Sequence, residues 1–232
     1  WTAEVDYGDG SGWQTATLDG KTVKLAHDYG VALGVYTVSI RVRDDGGGEG
    51  LGTFSLTVQN APPSLWVRGL RVVAEGSELD IANLGMFTDP GYHELGAAAF
   101  TYEIDWADGS ALDSGTARID VPGGPGRLTW GTFGGSHTYQ VNGRYVVAIA
   151  VEDDAGGRSL ERYMTVIVNN AAPRALVVDD IAPVTEGDVA YVHGTFEDGG
   201  VLDEHTVTVS WGDGTPDTVV TLPVGAREFT IP

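Results

Sequence analysis

From Tyr145 to Val151 every second side chain is apolar, Tyr145, Val147, Ile149 and Val151, and the positions between, Val146, Ala148 and Ala150, are apolar as well. Such a run predicts a β-strand of eight or so residues covered on both faces, as in the centre of a sandwich. His137-Thr138-Tyr139 and an Asn142-Gly143 turn precede it, and the carboxylate-rich turn Asp153-Asp154-Ala155-Gly156-Gly157 ends it. The same pattern stands earlier as His27-Asp28-Tyr29, a strand over 35–43 and Asp44-Asp45-Gly46-Gly47, about 110 residues upstream. The chain is a repeat protein.

Residues 1–60 predict strands at Thr2–Tyr7, Trp13–Leu18, Thr22–Leu25, 35–43 and Thr53–Val58, with Asp19-Gly20 as a hairpin turn. Residues 64–168 predict them at Leu65–Val73, Glu78–Leu84, Phe100–Trp106, Thr116–Val121, Gly126–Thr132, 144–152 and Arg162–Val168. The pattern then restarts. Val184-Thr185-Glu186-Gly187-Asp188 matches Val73-Ala74-Glu75-Gly76-Ser77, and Ser210-Trp211-Gly212-Asp213-Gly214 matches Asp105-Trp106-Ala107-Asp108-Gly109.

Two proline-bearing linkers, Gln59-Asn60-Ala61-Pro62-Pro63 and Asn169-Asn170-Ala171-Ala172-Pro173, read as semi-rigid joints. The expected architecture is all-β: tandem immunoglobulin-like sandwiches, with partial copies at 1–60 and 171–232 around a complete copy at 61–170. The first copy lacks its opening strands and the third its closing ones, so the parent chain is expected to continue both ways, the alternative being that the ends find partners.

Composition narrows the function. A hydrophobic content of 42% with nine Tyr and six Trp supports true cores. The formal charge of −20 argues against nucleic acid and anionic membrane surfaces as partners. The absence of cysteine removes disulfides and thiolate chemistry, and no apolar run approaches the roughly 20 residues of a membrane helix. No catalytic motif stands out, and the paired carboxylates lie in turns without an apolar pocket to raise one pKa for acid work.

Calcium is the cofactor these carboxylates suggest. Sandwich topology gathers Asn60, Asp89, Glu94, Asp153 and Asp154 at one pole, and Glu75 and Asp108 at the other, beside the second linker. Oxygen donors crowded without a counter-ion repel one another, and Ca²⁺ takes six to eight of them. The expected metal ligands are Asn60, Asp89, Asp153 and Asp154, then Asn170, Asp198 and Asp203. The same Asp-Gly clusters also make turns by hydrogen-bonding their own backbone, and that reading stands beside the first.

His27 and His137 precede Tyr29 and Tyr139, and read as a tyrosine corner with the imidazole bridging to a neighbouring turn, rather than as metal ligands. Trp106 and Trp211, with Tyr7 in the same slot, read as core. Trp13, Trp66 and Trp130 have no match between copies and read as packed on a neighbour; exposed, they would stack on sugar rings.

Taken in order, Asp105-Trp106-Ala107-Asp108-Gly109-Ser110, His137-Thr138-Tyr139 and Val151-Glu152-Asp153-Asp154-Ala155-Gly156-Gly157 resemble the PKD (polycystic kidney disease) domain family. The earlier copy matches it in Val5-Asp6-Tyr7-Gly8-Asp9-Gly10, His27-Asp28-Tyr29, Gly34-Val35-Tyr36-Thr37-Val38 and Asp44-Asp45-Gly46-Gly47. Two departures stand out: extra Gly/Pro-rich sequence at Pro122–Gly135, and Ala107 in place of the first glycine of Gly-Asp-Gly, which suggests a drifted turn. The resemblance implies a secreted or cell-surface β-sandwich without catalysis of its own, a spacer or adhesion segment. Its partners would be neighbouring repeats, and other cell-surface proteins or polysaccharide. The alternative is a carbohydrate- or protein-binding accessory region of a secreted hydrolase, with Trp130 and its Gly-rich loop as the contact.

Overall fold

The structure, a computed structural model, describes residues 1–93 and 96–232, and these form strands and turns with no helix. In the first unit β1 (Thr2–Asp6), β2 (Gln14–Thr15), β5 (Gly34–Arg43) and β6 (Glu49–Val58) make a sheet in the order β2-β1-β5-β6. A small hairpin of β3 (Thr17–Asp19) and β4 (Thr22–Lys24) lies beside it. Val5, Tyr7 and Val38 are its buried centre, while Val35, Leu51 and Phe54 stay exposed.

The middle unit has two packed sheets. One runs β11 (Asp113–Thr116), β10 (Phe100–Asp105), β14 (Gly143–Asp153), β15 (Arg162–Asn169), β8 (Leu70–Ala74), the last pair parallel. The other runs β12 (Arg118–Val121), β13 (Thr129–Thr138), β9 (Glu78–Asp89), β7 (Ser64–Val67). Alternate residues from both meet in one core around Phe87, Phe100, Trp106, Tyr139, Ile149 and Met164. The third unit pairs β16 (Arg174–Val178), β17 (Val192–Glu197) and β20 (Glu228–Ile231), and sets the hairpin of β18 (His205–Val209) and β19 (Thr218–Leu222) around Phe196, Leu222, Phe229 and Ile231.

Three stretches expected as single strands are each two. Leu65–Val73 breaks at Arg68-Gly69, where the chain leaves one sheet for the other. Trp13–Leu18 breaks at Ala16 and Thr116–Val121 at Ala117, whose N–H groups donate to the Ala3 and Phe100 carbonyls at 2.8 and 2.9 Å before the chain turns the corner. Both inner faces of a sandwich demand the same alternation, so periodicity does not register a change of sheet.

The strand expected at Gly126–Thr132 instead runs Thr129–Thr138, which takes most of the Gly-rich stretch and His137 into the sheet. Glycine normally weakens a strand. Here an aromatic ring lies over it: a Cβ on Gly131 would stand 2.2 Å from the Phe87 ring, and one on Gly85 2.2 Å from Phe133. The glycines give up a side chain to make room for the cross-strand phenyl groups that fill the core.

Ala107 does not mark a drifted turn. Its φ of 64° matches Gly8 at 74° and Gly212 at 75°, and its N–H donates to Asp105 Oδ1 at 2.8 Å as Gly8 N–H does to Asp6 at 2.9 Å. The turn is kept, with an alanine held in the left-handed region.

Candidate functional site at the joints between units

At the first joint Asp153 is buried, and the Asn60 side-chain nitrogen donates to both of its oxygens at 3.0 and 2.9 Å. Asp153 Oδ1 also accepts the N–H groups of Ala155 and Gly157, so a linker amide and the turn's own backbone surround one carboxylate. Asp89 lies in the same cleft, 3% exposed, its Oδ1 held by the Gly91 N–H at 2.6 Å and its Oδ2 without a partner. Burial pushes its carboxyl up, and repulsion from Asp153 and Asp154 adds to this against the Gly91 N–H and His93. His93 Nε2 stands 3.9 Å from Asp89 Oδ1 and 4.0 Å from the exposed Asp154. Across the joint the Tyr92 hydroxyl donates to Asp28 of the first unit. Glu94 lies outside the described residues.

At the second joint the organising group is Glu75, 1% exposed. Its Oε2 accepts the Asn142 N–H of its own unit and its Oε1 the Ala171 N–H of the linker, both at 2.7 Å. Asn170 satisfies its surroundings with its amide nitrogen toward Asp203 Oδ2, at 3.2 Å, and Glu75 Oε1, at 3.1 Å. Asp198 holds the Gly200 N–H through Oδ1 at 2.7 Å; its Oδ2 has no hydrogen-bond partner, with His205 Nε2 3.3 Å away. Asp89 and Asp198 thus match in place, each a carboxylate at the start of its unit with Oδ1 held by the glycine N–H two residues on, but the imidazole lies 3.9 Å from Oδ1 of Asp89 and 3.3 Å from Oδ2 of Asp198.

Of the expected ligands, Asn60 with Asp153 and Asn170 with Asp203 meet by hydrogen bonds in which the Asn presents nitrogen, not oxygen. Among the described residues, no three His, Asp or Glu side chains converge in an arrangement that could hold a metal ion. Asp89 Oδ2 is the donor a cation would find available, while Asp198 Oδ2 already faces the His205 imidazole. The two imidazoles went unread in the sequence because they come from different positions. His93 sits in the loop after Asp89, while His205 opens β18 and packs on Phe196 at 4.8 Å, as Phe100 packs on Phe87 at 4.6 Å.

The Asp-Gly turns after β1, β10 and β18 are hydrogen-bonded turns. Asp9, Asp108 and Asp213 each accept the N–H and hydroxyl of the residue two further on, Ser11, Ser110 and Thr215. His27 and His137 bridge to Asp9 and Asp108 at 2.7 Å while stacking on Tyr7 and Trp106. Burial alone would raise the Asp108 carboxyl, but the Ser110 hydroxyl, His137 and the Ser110 N–H outweigh it and hold it below the usual range. The Tyr139 and Tyr29 hydroxyls donate to the carbonyls of Trp106 and Tyr7, both at 3.1 Å, closing the corner across the sandwich rather than a few residues upstream. Ser110, Asp108 and His137 are not a nucleophilic triad: the carboxylate lies between serine and imidazole, so no base reaches the hydroxyl.

Trp13, Trp66 and Trp130 are 39, 49 and 45% exposed rather than packed on a neighbouring unit. Arg41 lies over the Trp13 ring at 4.2 Å, and Trp130 stands on β13, not in a loop.

No protein-family model matches the chain, and no curated protein does. Among solved structures it is similar to the PKD domain of an M14-like peptidase from a Thermoplasmatales archaeon, at 24% identity and TM-score 0.32 over 47% of this chain and 98% of that one. It is similar to fibronectin(III)-like modules of Clostridium thermocellum CbhA, at 14% identity and TM-score 0.33 over 72% and 77% of the two chains. A tetra-tandem repeat in the extending region of a large adhesion protein is similar at 13% identity and TM-score 0.44, over 99% of this chain and 57% of that one.

Proposed function

We propose that the chain is a non-catalytic extracellular spacer or adhesion segment in which each joint is fastened to the body of the middle unit. The observation that carries this is the pairing of linker amide with buried carboxylate at both ends of that unit, Asn60 with Asp153 and the Ala171 N–H with Glu75. A charge-assisted hydrogen bond shielded from water fixes direction as well as distance, as a spacer requires and a loose tether does not. Small-angle scattering tests it: a single extended particle is expected, and a broad distribution of maximum dimensions would refute the fixed joint.

Calcium belongs to this proposal as a second fastening. Asp89 with Asp153 and Asp154 at the first joint, and Asp198 with Asp203 at the second, would supply its ligands by drawing together carboxylates that do not yet converge, and the ion would relieve the repulsion that adds to burial in raising Asp89. A ligand bound only by the folded state raises the unfolding midpoint. Equal midpoints in calcium and in EDTA would remove the ion and leave the hydrogen-bonded joints standing.

The ligand-binding reading has its own support. Trp130 pairs opposite Thr88 and Trp66 opposite Met86, two residues along β9, so both indoles share the outer face of one sheet.

A further inference from the structure

Beside Trp66 the middle unit has a cleft of about 450 Å³ away from both joints, lined in part by Ile81 and Leu84 of the core. It opens where β9 is irregular between Ile81 and Gly85 and where the chain crosses between sheets at Arg68-Gly69. Irregular strand segments of this kind re-aim side chains at the sheet edge. The walls carry Trp66, Arg68, Arg71, Asn83, Met86 and Arg118.

The charge of this cleft runs against the molecule. In a chain with 13 basic and 33 acidic residues, three arginines converge on one cleft. Arg118 is paired with Asp120 at 2.6 Å. Arg68 and Arg71 form no ion pair with any described residue, and Arg71 donates only to the Leu70 carbonyl. Two unpaired guanidinium groups amid abundant carboxylates form a site for an anion from elsewhere. Guanidinium matches carboxylate geometry two bonds at a time. The half-exposed indole adds a flat apolar face, and Asn83 adds an amide that both donates and accepts. A carboxylate, a ring face and hydroxyl-bonding groups together describe an acidic sugar.

The surrounding field limits its length. Screening confines the arginines' attraction to roughly 8 to 10 Å in physiological salt. A polyanion long enough to leave that range would run over a surface of net charge −20, whose nearby carboxylates repel it. We propose that the cleft binds the terminal carboxylated sugar of a glycan, its carboxylate on Arg68 and Arg71 and its ring on Trp66. This rests on the ligand-binding reading and is independent of the joints. Trp130, about 12 Å from Trp66 by two strand spacings and two residues of rise, would meet the adjoining sugars.

The test is NMR titration of the indole N–H signals with methyl glucuronide, methyl glucoside, a mononucleotide and a heparin oligosaccharide. A saturable shift of the Trp66 signal with the glucuronide is expected, weakened at least tenfold in Arg68→Ala/Arg71→Ala and partly kept in Arg68→Lys/Arg71→Lys. Arg68 is exposed and Arg71 half-buried, and an unchanged unfolding midpoint verifies that the variants fold. Equal shifts with glucoside would overturn the acidic-sugar assignment and leave carbohydrate binding intact. No shift with either sugar would overturn both. Tighter binding of the nucleotide or heparin would overturn the proposal in favour of a phosphate or polyanion site.

Discussion

The side-chain nitrogen of Asn60 lies 3.0 and 2.9 Å from the two carboxylate oxygens of Asp153, 93 residues away. That contact ties the first linker to the turn closing β14. Asn60→Ala removes it and leaves a buried carboxylate with fewer donors, at a cost of about 1 to 3 kcal/mol. Urea unfolding should show the loss, and scattering should show a wider spread of orientations between first and middle units.

Glu75→Ala should cost more than any surface change, about 3 kcal/mol, because it removes the buried carboxylate that accepts two charge-assisted hydrogen bonds, from the part-buried N–H groups of Asn142 and Ala171. Glu75→Gln keeps one acceptor oxygen and should lose less. Denaturant midpoints of the two variants would rank them, and equal losses would mean that the acceptor oxygen Gln retains contributes nothing.

Asp89→Asn is expected to leave stability at neutral pH unchanged or raised in EDTA. Its carboxyl is held above the ordinary 3.8 chiefly by burial, so the folded state binds its proton more tightly than the unfolded chain does. Stability from this group is therefore greatest at low pH and declines as pH rises through the raised value. The variant removes that decline and, if the ion binds here, also the gain in midpoint on adding calcium. A lower midpoint in EDTA would contradict the sign.

Asp108 has the opposite sign. Although burial opposes ionisation, its hydrogen bonds hold the carboxyl below 3.8, so its contribution is complete above that value and disappears as pH falls through the depressed one. Acid titration of stability should be steeper below 3.8 for the parent than for Asp108→Asn.

Ala107→Gly should stabilise by roughly 0.5 to 1 kcal/mol, since glycine adopts the observed φ of 64° without the Cβ clash and gives back part of that gain in backbone entropy. Thermal unfolding would show the rise. Gly131→Ala should do the reverse by about 1 to 3 kcal/mol, because the new methyl meets the Phe87 ring and the Arg118 carbonyl.

Much of this is written along the chain. The alternation over Tyr145–Val151, the Asp-Gly turns, the His-x-Tyr segments and the two Asn-Ala linkers each act within a few residues, so one sequence read twice suffices to find them. The poles could be assigned too, because a sandwich's connectivity decides which turns share an end: Asn60, Asp89 and Asp153 do meet.

Tertiary structure decided what those residues do when they arrive. Whether an Asn turns its oxygen or its nitrogen to a neighbouring Asp depends on every other donor around that carboxylate, and here backbone N–H groups and the linker amide surround it. Corners at Ala16, Ala117 and Arg68-Gly69, and the rings over Gly85 and Gly131, rest on contacts between strands far apart in the chain. Local alternation sets a strand's two faces; which sheet it joins, and which acid is left with a free oxygen, is settled only when distant segments compete for the same space and the same hydrogen bonds.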